Sequence, residues 1–545
     1  MASPELLSAA TQRLSAGAWL EAEVAARAAL ADDPDDPQAA LLLGLAIAAM
    51  GEHARAAPIL ISAAAMRPDG DHPCVEMARL MPPLPRSVVA RQFAACMRLT
   101  RADDRLRLDF AAFLLDTDQP ARAEAILADG PDTAACHHLK GLARAELERF
   151  SAAADSFQRA VALDPDAAAS WTNLGMMLKV EGRFAESVAA HDRAVALEPN
   201  NHRFRVNRAI ALLKMGNWQP AWRDYEARLP MAGGPPIDAL RLMPSLRPGD
   251  SLVGLTVLAL HEEGFGDTLQ FLRYLPLLAE RGARVVVCVP AALVRILRMV
   301  PGVSDVVSDI RHVPAHDFVC PIFSLPRVFG TTIATIPPVP VLAMDESLTQ
   351  RWAARLPSKD LRVGLVWAGQ ARPSAPGFGT LDRRRSAGLA AFAPLADIPG
   401  LTFVSLQAGP AARQKRPPYL VLANPMQDVE DFADTAAIIA SLDVVVSVDT
   451  SVVHLAGLVG KPVFLMDRYD GCWRWLSDRI DSPWYPGLTI FRQEQPGDWS
   501  GAMTRAAGSL LAMALFRGFG SASRGTKEAG VLDLTREPIA WRQAV

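Results

Sequence analysis

Between Val444 and Met466 the sequence places an acid, two hydroxyls and an imidazole around the start of one short helix. Val444, Val445, Val446 and Val448 form a β-branched run, which predicts a strand buried on both faces. Asp449, Thr450 and Ser451 follow as residues suited to cap a helix, and Gly460 and Pro462 close that helix before a second strand over 463–466. At the carboxyl end of a parallel strand, a helix N-terminus offers unpaired N–H groups and a positive dipole end, which suit a phosphate. His454 lies one turn after Thr450 and is expected to face the same mouth. The plainer reading makes Asp449 and Thr450 only caps and His454 only a packed residue. On these residues alone both readings stay open.

A second set of residues suits group transfer to a hydroxyl, which needs a base for the acceptor and stabilisation of a leaving phosphate. Asp267 follows a strand expected over 252–261 and the tight turn Gly264-Phe-Gly-Asp267, so its carboxylate can stand at a strand tip. Asp267 and Gln270 also have capping-box spacing for a helix expected over 268–281. Glu262 and Glu263 are adjacent alternatives for the base. Arg383, Arg384 and Arg385 are the candidate cations for the leaving group, after a strand over 363–367. Gln407, ending a strand over 402–407, stands where a nucleoside would lie. No Asp-x-Asp pair occurs between residues 251 and 516, so no essential metal is expected there.

The segment from Asp449 to Pro462 resembles the D-T-x-x-x-H-L-A-x-x-x-G-x-P segment of the heptosyltransferase-like glycosyltransferases of family 9. The resemblance implies a GT-B fold, two Rossmann-like halves facing a cleft, with this segment holding the diphosphate of a nucleotide sugar. Gly266-Asp267 resembles the family's Gly-Asp, whose aspartate is the proposed base. The family also carries a basic residue in the loop that holds the three arginines here, and its mechanism is metal-independent. Cys472-Trp-Arg-Trp475 and Asp481-Ser-Pro-Trp-Tyr-Pro486 are similar to segments of bacterial proteins that join tetratricopeptide repeats to such a half.

The elements ahead of this region repeat with a period of 34 residues. Gly17 and Gly51, Pro34 and Pro68, Gly141 and Gly175, Phe150 and Phe184, and Pro165 and Pro199 all keep that spacing. Trp171-Thr-Asn-Leu-Gly175, with Ala194 and Pro199, resembles the tetratricopeptide repeat, a pair of antiparallel helices per unit. The fold class expected is therefore an all-α repeat array over 1–230, degenerate over 71–130, followed by an α/β GT-B domain over 251–516. Its halves are expected at about 251–345 and 346–500, with a Gly/Pro-rich linker over 231–250, a helix over 500–516 that returns to the first half, and a tail over 517–545. Asn173 and Asn207, 34 apart on first helices, are the candidates to grip a peptide backbone in the array's groove.

Composition narrows the function class. The net charge is −3 over 545 residues, so nothing argues for nucleic acid or an anionic membrane. The six cysteines show neither a disulfide framework nor a zinc spacing, and the N-terminus has no signal-peptide pattern, so a cytoplasmic protein is expected. The apolar run 39–50 is too short to span a bilayer. The activity expected is an inverting glycosyltransferase that takes a nucleotide sugar as substrate, needs no cofactor, and acts on a polypeptide acceptor held by the repeats. The alternative is a repeat scaffold with an inactive transferase half. A lipopolysaccharide heptosyltransferase has no need of a peptide groove.

Overall fold

The computed structural model describes residues 2–67, 72–80, 85–100, 103–231, 239–357, 360–370 and 378–522. The chain divides into two compact units, Met1–Gly234 and Pro235–Val545. Among the described residues no helix is long and apolar enough to cross a membrane.

The first unit is a run of helix pairs from Pro4–Ser15 to Trp218–Tyr225. The stretch over 71–130 continues it, with helices Pro73–Leu80, Arg86–Leu99, Asp104–Asp116 and Pro120–Leu127; residues 71, 81–84 and 101–102 lie outside the described residues. The repeat pattern has a direct cause in packing. A Cβ on Gly44 would stand 2.3 Å from Leu60 Cδ2, and one on Gly141 would stand 2.6 Å from the Phe157 ring. The paired helices approach so closely that only glycine fits at these positions.

The second unit holds two wholly parallel sheets. The first contains β1 (Thr256–Leu260), β2 (Arg284–Cys288), β3 (Val303–Val307) and β4 (Phe318–Pro321), in the order β3-β2-β1-β4. The second contains β5 (Leu361–Val366), β6 (Leu401–Ser405), β7 (Leu422–Ala423), β8 (Val444–Val448), β9 (Val463–Asp467) and β10 (Leu488–Arg492), in the order β10-β9-β8-β5-β6-β7. Two doubly wound parallel sheets in one compact unit form a GT-B-like α/β domain. In each sheet the chain reverses its direction of strand addition once, between β1 and β4 and between β5 and β8. Ligands of such sheets bind beyond the carboxyl ends of the strands at these reversals.

Several expected boundaries move. The strand over 252–261 is only Thr256–Leu260, because Leu252 and Leu255 close a turn ahead of it. The expected turn Gly264–Asp267 is the cap and first turn of helix Phe265–Phe271. The arginines at 383–385 stand at the end of helix Phe378–Arg384 rather than in a loop; the approach to it over 371–377 lies outside the described residues. Helix Ser500–Ala522 does not return to the first half. Its residues Ala502, Met503, Ala506 and Leu510 pack with Val444, Val446, Phe464 and Phe392 in the core of the second half. Residues 239–246, expected as linker, run along the free edge of β4: Leu242 pairs with Val319 and the Leu246 N–H donates to the Val328 carbonyl at 2.8 Å. Residues 232–238 and the tail beyond 522 lie outside the described residues.

Candidate active site

The loop leaving β1 reaches the first reversal. His261 accepts or donates a hydrogen bond between Nδ1 and Thr268 Oγ1 at 2.7 Å, and burial lowers its pKa. Glu262 is buried, and its Oε1 accepts from the Phe323 N–H at 3.0 Å, tying the tips of β1 and β4 together. Glu262 thus acts as a strut between the two strand tips. Glu263 is exposed, with φ at 57°.

Gly264 is the N-cap of the following helix and Asp267 is its third residue. The sequence places the box three residues too late: Asp267 supplies its reciprocal half, with Oδ2 accepting from the Gly264 N–H at 2.9 Å. Its other oxygen, Oδ1, accepts from Arg474 Nη2 in an ion pair of two largely buried side chains. Arg474 Nε donates to Gln270 Oε1 at 2.5 Å. Arg474 is a residue the site reading missed, although the Trp-Arg-Trp segment that carries it stood out.

The strand–helix segment at 444–458 forms as its residues dictate, and it brings its helix against the one that holds Asp267. A Cβ on Gly266 would stand 3.0 Å from His454 Cδ2 and 3.4 Å from Ser451 Cα. Thr450 occupies the N-cap position, but its hydroxyl bonds to Ser447 Oγ at 3.2 Å and not to the helix N–H groups. His454 does not line an open mouth. It is 3 % exposed, bonds through Nδ1 to Tyr485 Oη at 3.0 Å, and stacks on Trp475 with ring centroids 5.5 Å apart. Burial, and then the charges of Arg474 and Arg273, hold it well below the ordinary histidine range. A neutral, enclosed imidazole props this helix; it is no cation for a phosphate.

Charge gathers beyond β5, β8 and β9. Arg385 pairs with Asp382 at 2.7 Å, and its guanidinium packs so closely on Gly369 that a Cβ there would stand 2.4 Å from Nε. Arg384 lies 3.8 Å from Asp470, and Arg468 lies 2.5 Å from the same aspartate. Arg383 points outward and is exposed. Arg468 was also missed, although its place directly after β9 is the signal that marks it. Burial opposes its charge, but Asp470, Cys472, Asp449 and Asp467 outweigh that and raise its pKa. Arg384, Arg385, Arg468 and Asp449 thus surround the second reversal. Gln407 is fully occupied elsewhere. Its Oε1 accepts from the N–H groups of Trp367 and Ala368 at 3.0 and 2.9 Å, and its Nε2 donates to the carbonyls of Ala368 and Ala408, both at 3.0 Å. An amide that spends its hydrogen bonds this way latches β5 to β6 and has nothing left for a nucleoside. Among the described residues no group of three or more His, Cys, Asp or Glu is placed to hold a metal ion.

In the first unit, Asn207 Nδ2 donates to Thr172 Oγ1 at 3.2 Å, and Thr172 Oγ1 lies 3.1 Å from His191 Nδ1. Asn207 therefore stitches consecutive pairs together, and its amide is only partly open to a peptide. Asn173 is half-buried.

Residues 7–73, 119–168 and 138–202 match the family model of the tetratricopeptide repeat. The first unit is a tetratricopeptide-repeat array. The chain is also similar to Protein FlbA of Caulobacter vibrioides, 26% identical over an alignment of 349 positions that covers 56% of this chain and 54% of that protein. The match thus spans about half the length of that relative. Among solved structures, a family 9 glycosyltransferase from Veillonella parvula is 11% identical, covering 48% of this chain and 98% of its own, with a TM-score of 0.36. A crystal structure of MamA is 19% identical, covering 26% of this chain and 86% of its own, with a TM-score of 0.25. These structural likenesses are slight, and the fold rests on the strand order and register given above.

Proposed function

We propose that the second unit is an inverting glycosyltransferase that takes a sugar from a nucleotide sugar and passes it to a hydroxyl of a polypeptide held by the tetratricopeptide repeats. One observation carries this reading: the turn of Asp267, at the reversal of the first sheet, meets the helix that begins at Ser451, at the reversal of the second. A base and a phosphate-binding helix start are then within one substrate's reach. The diphosphate lies against the N–H groups at 450–452, with Arg384, Arg385 and Arg468 balancing its charge. The acceptor oxygen attacks the anomeric carbon as the bond to the diphosphate oxygen breaks, and that electron pair leaves with the diphosphate. The acceptor proton passes to Asp267. A carboxylate has about four lone-pair positions and the bonds from Gly264 and Arg474 use two, so the proton has a place to go.

The engagement of Asp267 by Arg474 is what favours a second reading, a scaffold whose transferase half is silent. Titration calorimetry with UDP, GDP, ADP and CDP separates the two. Binding of one, followed by mass spectrometric detection of a sugar on co-purified polypeptide, supports the enzyme; binding of none supports the scaffold.

A further inference from the structure

Arg474 lies in the second half by sequence, yet its polar grip is on the first. Nε donates to Gln270, Nη2 to Asp267, and the guanidinium lies 5.5 Å from the centre of the Phe323 ring. Behind it, the Trp473 ring lies 4.6 Å from the guanidinium carbon, and Nη1 donates to Cys472 Sγ at 3.1 Å. A cation packed between two aromatic rings has little rotamer freedom left.

The backbone beside it is unusual as well. Leu476 has φ 53° and ψ −169°, a region almost reserved for glycine. It is held there by Arg492, whose Nη2 donates to its carbonyl at 2.9 Å, and by its own N–H, which donates to the Trp473 carbonyl at 3.2 Å. Such strain persists only where the surroundings overdetermine it, and it gathers at functional sites.

At the other end, the carboxylate of Asp267 has one oxygen fixed by the Gly264 N–H of its own turn and the other fixed by Arg474 from the opposite half. Two anchors on different oxygens set the plane of the carboxylate and aim its remaining lone pairs. A reciprocal tie runs the other way: Arg273 Nη1, from the first half, donates to the Trp484 carbonyl of the second at 3.0 Å, and its Nε donates to the Gln270 carbonyl at 2.9 Å.

We propose that Arg474 is the positioning residue of the transfer site: it aims the carboxylate of Asp267 and holds it at reacting distance from the helix that begins at Ser451. The role rests on the glycosyl-transfer reading above. It implies a preformed site, in which the two halves stay joined through turnover.

The test uses the full chain as wild type, Arg474→Gln and Arg474→Lys. The donor is whichever UDP-, GDP-, ADP- or CDP-sugar raises the wild-type melting temperature, and turnover is read as free nucleotide released. Arg474→Gln should lower kcat about 10²-fold, the scale of a misplaced catalytic group, with KM for the donor within about twofold of wild type. Arg474→Lys, which keeps the charge and one donor, should recover part of that loss. Hydrogen exchange needs no donor: amides of helices 265–271 and 451–458 should be protected together in wild type and loosened together in Arg474→Gln. An Arg474→Gln variant that turns over like the wild type overturns the positioning role alone, and so does fast, independent exchange of the two helices in wild type. A wild type that binds none of the donors takes down the transfer reading, and the positioning role falls with it.

Discussion

At the scale of single residues, the carboxylate of Asp267 is anchored by two donors, the Gly264 N–H on one oxygen and Arg474 on the other. Asp267 was legible as a carboxylate at a strand tip, because a glycine-rich turn follows the apolar run that forms β1. Its engagement by Arg474 was not legible, since 207 positions separate the two and no local pattern spans such a gap. Asp267→Asn tests the base directly. Asparagine can still accept from the Gly264 N–H, but its uncharged amide loses the ion pair with Arg474. Transfer should fall roughly 10²-fold or more, with nucleotide affinity by calorimetry unchanged and a slightly lower melting temperature. Gln407 and His454 teach the same lesson in reverse: Gln407, read as a ligand at a strand tip, spends its amide on internal bonds, and His454, read as facing the mouth one turn after Thr450, is enclosed and bonded through Nδ1 to Tyr485. The nucleotide contact to test is therefore Arg468. Arg468→Ala removes a charged donor, a loss of about 1.5–3 kcal/mol, so calorimetry should show nucleoside diphosphate binding weakened about tenfold or more. Unchanged affinity would place the phosphates elsewhere.

At the scale of elements, periodicity and caps read well where the packing is local. The 34-residue spacing marked the repeats because Gly141 and Gly175 meet the partner helix of their own pair, while Gly17 and Gly51 take the left-handed turn between paired helices. It faded over 71–130, yet helices form there, since burial of an apolar face outweighs departures from a consensus. One element departs within a clear unit. His191 packs against Gly175, where a Cβ would stand 2.7 Å from its Nε2, and burial pushes its pKa down to about 3; burial pushes His72 down to about 4. Both values lie below the 6.5 of the free side chain, so the unfolded chain takes up protons first. Stability of the array is complete above pH 6.5 and should fall as the pH drops toward 4, each histidine adding about 1.4 kcal/mol per pH unit to the slope. Urea unfolding followed by tryptophan fluorescence should show this, and His191→Phe should remove one proton's share of the slope. In the second unit, the helix Ser451–Leu458 touches Tyr485 through Gly457, where a Cβ would stand 2.3 Å from the ring. Tyr485 is buried, with its hydroxyl pKa pushed up to about 12, and it cannot yield space cheaply. Gly457→Ala should cost about 1–3 kcal/mol by overpacking, seen as a lower melting temperature, and should displace the partner of His454.

At the scale of the whole molecule, the parallel character of the sheets was legible because buried parallel strands read as runs of apolar residues, whereas β7, only two residues long, and β10 were not anticipated. The joining of the halves was not, and neither was the docking of helix Ser500–Ala522, whose apolar residues suit either sheet equally well. The stretch over 231–250 looked the least consequential, since glycine and proline promise only a tether. Yet Leu242 and Met243 bond along Val319, and Arg327 donates to Ser245 Oγ at 3.2 Å, so residues 242–245 lie over the rim of the outermost strand of the first sheet. An uncovered rim of that kind recruits other chains, because its N–H and C=O groups are a template for intermolecular pairing. A fragment beginning at residue 251 should therefore self-associate on standing, while one beginning at residue 235 should stay monomeric by light scattering. The piece that looks most dispensable decides where the chain can be cut, and any attempt to separate the repeats from the α/β unit must divide it upstream of Leu240.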